Sequence, residues 1–254
     1  MLDFLTMMPH GDEVLDPKDD VTKELSELMK KIGESSNGIK EFIVVSPHNI
    51  RIMDHNSIIF AEHISNGRDL LNDKILAMKI YERTKAENVP VVGVNFGALE
   101  GEGSKIPLDW GTSIPLEFFK VVEKIVLISP AREISRGKLV IFGKIIAEIA
   151  DNYMNRIGII ISADQAHAHD KNGPYGFSEF AKIYDNYVIN AFKNNRVDEI
   201  LNIGDDVIEN AKPDSFWQNL ILIGILDVKK FVVEEIKYAC PTYFGMLASK
   251  FRKV

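Results

Sequence analysis

Four strand-length runs rich in β-branched residues, separated by stretches of helical period, restrict this chain more than any other feature. They are residues 42–46 (FIVVS), the VVGVNF that follows Pro90, residues 124–129 (KIVLIS) and residues 156–162 (RIGIIIS). Continuous apolar runs of this kind belong to strands buried on both faces, as in parallel sheets. Between them, apolar residues recur at three- and four-residue spacing. Leu25, Leu28, Met29 and Ile32 share a face in residues 21–32. Leu70, Leu71, Ile75, Met78, Ile80 and Tyr81 mark residues 69–85 as a helix. Ile141, Ile145, Ile146, Ile149 and Tyr153 do the same for residues 139–154. Strand and helix in alternation predict an α/β fold: a central, largely parallel or mixed sheet flanked by helices on both faces. From Phe177 onward the pattern is mostly helical, and residues 231–238 fit either a late strand or a helix. Residues 97–103 (GALEGEG) read as a loop. They lack the Lys-Ser/Thr ending of a phosphate loop and so carry no nucleotide role. A chain of 254 residues is near the upper limit of one hydrophobic core. The expectation is a single domain over residues 1–254.

Charge and cysteine content exclude several functions. The formal charge is -7 and no basic tract is present, so a phosphate-backbone partner is not expected. No apolar run approaches the roughly 18–20 residues of a membrane helix. The N-terminus runs into a histidine and acidic residues rather than a signal peptide. The one cysteine, Cys240, rules out an internal disulfide and a Cys-rich zinc site. Together these point to a reducing interior and a cytoplasmic protein.

The six histidines are unevenly placed. His10 follows the first apolar segment. His48 follows the strand that ends at Val45, and His167 follows the strand that ends near Ile161. In open α/β sheets ligands bind beyond the carboxyl ends of the strands, so parallel strands would bring all three to one rim. Two imidazoles and a carboxylate with open positions make the facial triad of non-haem Fe(II) sites. A third histidine nearby can move protons near neutral pH. A plainer reading stands beside this one: Pro9 and Pro47 end strands and set turns, and the histidines after them are loop residues. His55 and His63 lack strand-end placement and read as surface residues. His169, two residues past His167, points elsewhere or acts as a backup.

Several segments, in order, resemble the class III extradiol ring-cleavage dioxygenases, the LigB-like family that includes the Memo-like proteins. MMPHGDEVLDP at Met7 and SPHNIRI at Ser46 are similar to its two metal-histidine segments. PLDWGTSIPL at Pro107 resembles its Leu-Asp-His-Gly loop. ISADQAHAHDKNGPYGF at Ile161 resembles the segment carrying the catalytic histidine, and DSFWQNLILIGIL at Asp214 the carboxylate-bearing helix. PTYFGMLASKF at Pro241 is similar to the closing strand of several relatives.

The resemblance implies that His10 and His48 ligate Fe(II), with Zn(II) as the alternative, and that His167 is the acid/base. The third ligand of the family is a glutamate shortly before a tryptophan. Here Asp214 precedes Trp217, and Glu209 is the second choice. Asp214 also reads as the N-cap of an apolar helix. The family's Asp-His-Gly histidine is Trp110 in this chain, and an indole offers only one N–H donor and an apolar face. Asp109, Trp110 and Tyr175 are assigned to the substrate pocket. Trp110 as a packing residue and Tyr175 as a turn residue are the alternatives. The implied partners are a small catechol- or aminophenol-like aromatic and O₂; some relatives use a small partner subunit, and a homo-oligomer is open. Two other functions compete with ring cleavage: a Memo-like metal protein with a different redox or binding role, and a metal hydrolase using bound water.

Overall fold

The computed structural model describes residues 1–65 and 69–254. One mixed sheet organises the chain. Its centre is parallel: β1 (Leu2–Met8), β9 (Ile157–Ser162), β2 (Glu41–Val45) and β8 (Lys124–Ser129) lie side by side, followed by β5 (Asp69–Asn72). The chain's last two strands, β10 (Phe231–Ala239) and β11 (Met246–Lys253), form a hairpin that joins β1 antiparallel. Beyond β8 lie β3 (Asn56–Ile59) and β6 (Val91–Val94), with β4 (His63–Ser65) and β7 (Lys105–Pro107) beyond β5.

The apolar runs are buried on both faces because two helical layers cover them. Ile43 and Val45 of β2, Val126 and Ile128 of β8, and Ile159 and Ile161 of β9 face one layer. That layer holds α2 (Lys74–Ala86), α4 (Arg136–Asp151), α5 (Glu179–Lys193), α6 (Asp205–Ala211) and α7 (Phe216–Val228). Their alternate neighbours Phe42, Val44, Ile125, Leu127 and Ile160 face α1 (Asp20–Ser35) and α3 (Trp110–Leu116). Each fully buried Ile or Val contributes about 1.5–3 kcal/mol over its exposed state. The period-two register of these strands therefore holds the sheet in place. Helices α4 and α7 cross at a contact with no room for a side chain: a Cβ on Gly143 would lie 2.0 Å from the Ile221 carbonyl oxygen, and one on Gly224 2.0 Å from that of Val140.

Two elements differ from expectation. Residues 69–85 are not one helix. Asp69–Asn72 pair with β4 as β5, and the helix begins only at Lys74. Asp73 sets that start by accepting the Leu76 N–H at 3.0 Å. Asn72 holds the strand in place by donating to the Ile59 and Ala61 carbonyls. The VVGVNF run is only half-buried, because β6 pairs with β3 alone and lies outside the main strand path. The run at residues 231–238 is a strand, and residues 97–103 form a loop closed by a bridge between Gly97 and Ser104. Among the described residues, no helix is long and apolar enough to cross a membrane.

Candidate metal centre

The carboxyl ends of four adjacent parallel strands build the site. His10 lies two residues past β1, His48 three past β2, His167 five past β9 and Arg132 three past β8. Asp214 arrives from the opposite direction, just before α7. Among the described residues His10, His48 and Asp214 form the group able to hold a metal ion. The two histidine Nε2 atoms are 2.9 Å apart, and each lies 3.3 Å from Asp214 Oδ2. Three atoms each about 2.1 Å from one ion are separated by about 3.0 Å on an octahedral face and about 3.4 Å in a tetrahedron. The triangle fits a divalent cation in either geometry. Asp214 Oδ2 is itself buried with no hydrogen-bond donor, the condition of a ligand atom waiting for a cation.

Hydrogen bonding sets the histidine tautomers. The Ser162 hydroxyl donates to the Gly111 carbonyl, so its oxygen accepts from His10 Nδ1–H at 2.9 Å. His10 Nε2 is left with its lone pair toward the site, the usual arrangement of a metal-bound imidazole. His167 Nδ1 lies 2.9 Å from the Gln165 carbonyl, which can only accept, so His167 Nε2 is the free nitrogen. His48 is held by stacking: the Trp110 indole lies 4.3 Å from it at 29°. Gly111 lets α3 approach, since a Cβ there would be 2.6 Å from Ser46 Oγ and 3.1 Å from His48 Cδ2.

Charge around the centre is finely balanced. Burial pushes the Asp214 carboxyl up, but the His10 and His48 imidazoles beside it outweigh burial and hold it well below the usual carboxylate range. Burial pushes His10 down, and the neighbouring carboxylates Asp164 and Asp214 turn the net shift upward. Asp214 Oδ1 accepts from Arg132 at 2.6 Å, and the Arg132 guanidinium lies over the Trp217 ring at 4.3 Å. Trp217 in turn donates to the Arg132 carbonyl at 3.1 Å. Asp214 therefore faces the candidate centre and does not cap α7, whose N-cap is Ser215, without a side-chain capping bond.

Two cavities meet at His48, His167 and Tyr175. One, about 440 Å³, carries Arg51, Arg132 and Lys212 on its wall, together with Asp205 and Glu209. The other, about 410 Å³, is bounded by Trp110, Tyr243, Phe244 and Pro174. In the first, Arg132 is paired with Asp214, and Asp205 with Arg136. Arg51, Lys212 and Glu209 make no ion pair with any described residue, which leaves two free cations against one free carboxylate.

Most residues singled out by sequence come together here. His10, His48 and Asp214 converge, and His167, Trp110 and Tyr175 line the cavities. Glu209 is on the cavity wall and outside the ligand group. Asp109 is placed behind the wall rather than in it: it caps α3 through the Thr112 N–H at 3.0 Å and accepts from Ser46 Oγ at 2.6 Å. Trp110 is 56% exposed, so it is not a buried packing residue. His55 pairs with Asp54 at 2.9 Å. His63 is not a surface loop residue; it is half-buried within β4. His169 turns away toward Asp185, 2.8 Å distant. Sequence reasoning missed Arg132 and Asp164. Arg132 follows Ser129-Pro130, the same strand ending as the Ser46-Pro47 before His48, and that repeat was a readable signal. Asp164 takes the His10 N–H at 3.0 Å and lies 3.3 Å from His10 Nε2.

Fold and site together define a mixed α/β protein with a two-histidine, one-carboxylate candidate metal centre at the carboxyl ends of its parallel strands. Residues 7–248 match the family described as "Catalytic LigB subunit of aromatic ring-opening dioxygenase", and the chain belongs to that family. It is 27% identical over 234 residues to "Protein CA_C1420" of Clostridium acetobutylicum, a match covering 87% of this chain and 49% of that protein. The chain thus spans about half the length of this curated relative. An uncharacterized protein of Escherichia coli K12, JW3007, shares the fold with a TM-score of 0.63 at 15% identity, over 97% of this chain and 98% of the other.

Proposed function

We propose that this chain is a cytoplasmic non-haem Fe(II) dioxygenase that opens a catechol-like or aminophenol-like ring with O₂. The observation that carries the reading is the convergence of His10 Nε2, His48 Nε2 and Asp214 Oδ2 within 3.3 Å of one another, beside an unligated His167. These three side chains would hold the metal. Bound there, Fe(II) supplies the electron path between an electron-rich ring and O₂ that spin rules otherwise hinder. The protein residues do the rest. His167, with Nδ1–H given to Gln165, presents Nε2 to accept a proton from a substrate hydroxyl and return it later. Trp110, Tyr243 and Phe244 form an aromatic wall that shields a ring from water. Arg51 and Lys212 on the other wall suit an anionic substituent such as a carboxylate.

Anaerobic purification with metal analysis, then O₂ uptake on catechols and aminophenols, tests the reading. Iron with ring-opened product supports it; zinc with esterase or amidase activity replaces it with a hydrolase. Trp110 favours one second reading, a metal protein of Memo-like type without ring cleavage, because an indole in place of the family histidine cannot exchange protons near neutral pH. Bound iron with no O₂ uptake on any member of the panel would select that reading.

A further inference from the structure

The segment between β9 and α5 carries His167 but forms no helix or strand of its own, so other elements must aim it. Its backbone is tied at several points. Gln165 N–H donates to Gly245, and His167 N–H to Ala211. One side chain stands out among these ties. Asp185 on α5 is buried, at 2% exposure. Its Oδ1 accepts the Ala166 N–H at 2.9 Å. Its Oδ2 faces His169 Nε2 at 2.8 Å and accepts from the Tyr238 hydroxyl at 2.5 Å. Two of these partners, Ala166 and His169, bracket His167 in the chain. The Gln165 carbonyl, in the same peptide unit as the Ala166 N–H, accepts both His167 Nδ1–H and the Asp214 N–H, the latter at 3.2 Å. A single peptide unit therefore sets the acid/base ring against the carboxylate ligand, and Asp185 grips its N–H.

We propose that Asp185 is a positioning residue for His167, fixing the peptide whose carbonyl selects the Nδ1–H tautomer and leaves Nε2 free in the cavity. The inference rests on the acid/base role given to His167 above. A buried carboxylate is costly, and an apolar residue would pack α5 equally well; what the carboxylate adds is direction, through three donors, two in the His167 segment and one on β10. Asp185 touches neither the metal ligands nor the cavity, so its effect passes through His167.

The test is the ¹⁵N imidazole spectrum of the full chain, metal-free and zinc-loaded, in wild type, Asp185→Asn and Val188→Ala. Val188 is buried on the same helix and bonds to nothing in the segment, so its variant loses packing only. In wild type His167 shows the Nδ1–H signature. In Asp185→Asn that signature gives way to a mixture of tautomers, while zinc affinity falls by less than the ~10-fold typical of a lost outer-shell partner. In Val188→Ala the His167 signature stays. An unchanged His167 spectrum in Asp185→Asn, or an equal change in Val188→Ala, overturns the proposal. Should Asp185→Asn not fold, His169→Ala opens one flank of the bracket and must alter the His167 signals; silence there overturns it as well. A chain that takes up no metal would defeat the proposed function, yet the metal-free spectrum would still decide the role of Asp185.

Discussion

Ser162→Ala is the sharpest probe of the hydrogen-bond logic around the centre. The serine hydroxyl sits between His10 Nδ1–H and the Gly111 carbonyl, and all three lie in the interior. Alanine removes both bonds and adds no bulk. It leaves one buried imidazole N–H and one buried carbonyl unpaired, at about 1–3 kcal/mol for an unpaired buried group. The net loss expected is about 2–3 kcal/mol, allowing for partial relaxation of the ring. For a chain of this size that is roughly 4–12 °C in Tm. The second effect is on metal. His10 loses the partner that fixes its tautomer, and outer-shell losses of this kind weaken metal binding by about 10- to 100-fold. Thermal melts of the metal-free protein and chelator competition on the loaded protein measure the two effects separately. A lower Tm with unchanged metal affinity would show that Ser162 merely fills space. Unchanged values of both would refute the tautomer assignment itself.

Further outcomes follow from the same geometry. His10→Ala and His48→Ala should abolish stoichiometric metal content, whereas His167→Ala should keep the metal and slow turnover by about 10²- to 10⁴-fold; plasma emission analysis and an oxygen electrode separate the two patterns. Gly143→Ala places a Cβ where the Ile221 carbonyl lies; the expected loss is about 3 kcal/mol or more, read as a denaturant midpoint shift at constant slope. Asp3 ties the start of β1 to Lys253 and Arg156. The Lys253 hydrogen bond, aided by Arg156, lowers its carboxyl below 3.8 against the opposing pull of burial. A carboxyl depressed in the folded state stabilises above its unfolded value and loses that contribution as pH falls through the folded one. Asp3→Asn should therefore narrow its stability difference from wild type below about pH 3.8, seen in melts between pH 2 and 7.

How far the sequence could be read depended on whether the information was local. The buried parallel strands were legible because a strand covered on both faces has no polar alternation to disguise it, and KIVLIS matches β8 residue for residue. The placing of His48 and His167 after strands followed from the same runs, and that of His10 from the first apolar segment. Residues 69–72 were misread because four residues cannot separate the two periods. Pairing with β4 settled them, although Asp73 before Lys74-Ile75-Leu76 was a cap visible in advance. The half-buried state of β6 depends on its lying outside the main path, which no local pattern carries. Asp214 was ambiguous between cap and ligand, since both tasks use a carboxylate before an apolar helix. Only its distances to two histidines that follow other strands place it in the candidate group. Asp164 and Asp185 were invisible for a similar reason: each acts on backbone N–H groups brought near by folding, and a lone aspartate in sequence announces no such partner.

The position of β1 has a consequence for assembly. Strand β1 lies between β9 and β11, and its partners are more than 140 residues downstream. His10 hangs from that strand, so it reaches the candidate site only after strands distant in sequence have paired. An ion held by His10, His48 and Asp214 would then report that this long-range pairing is in place.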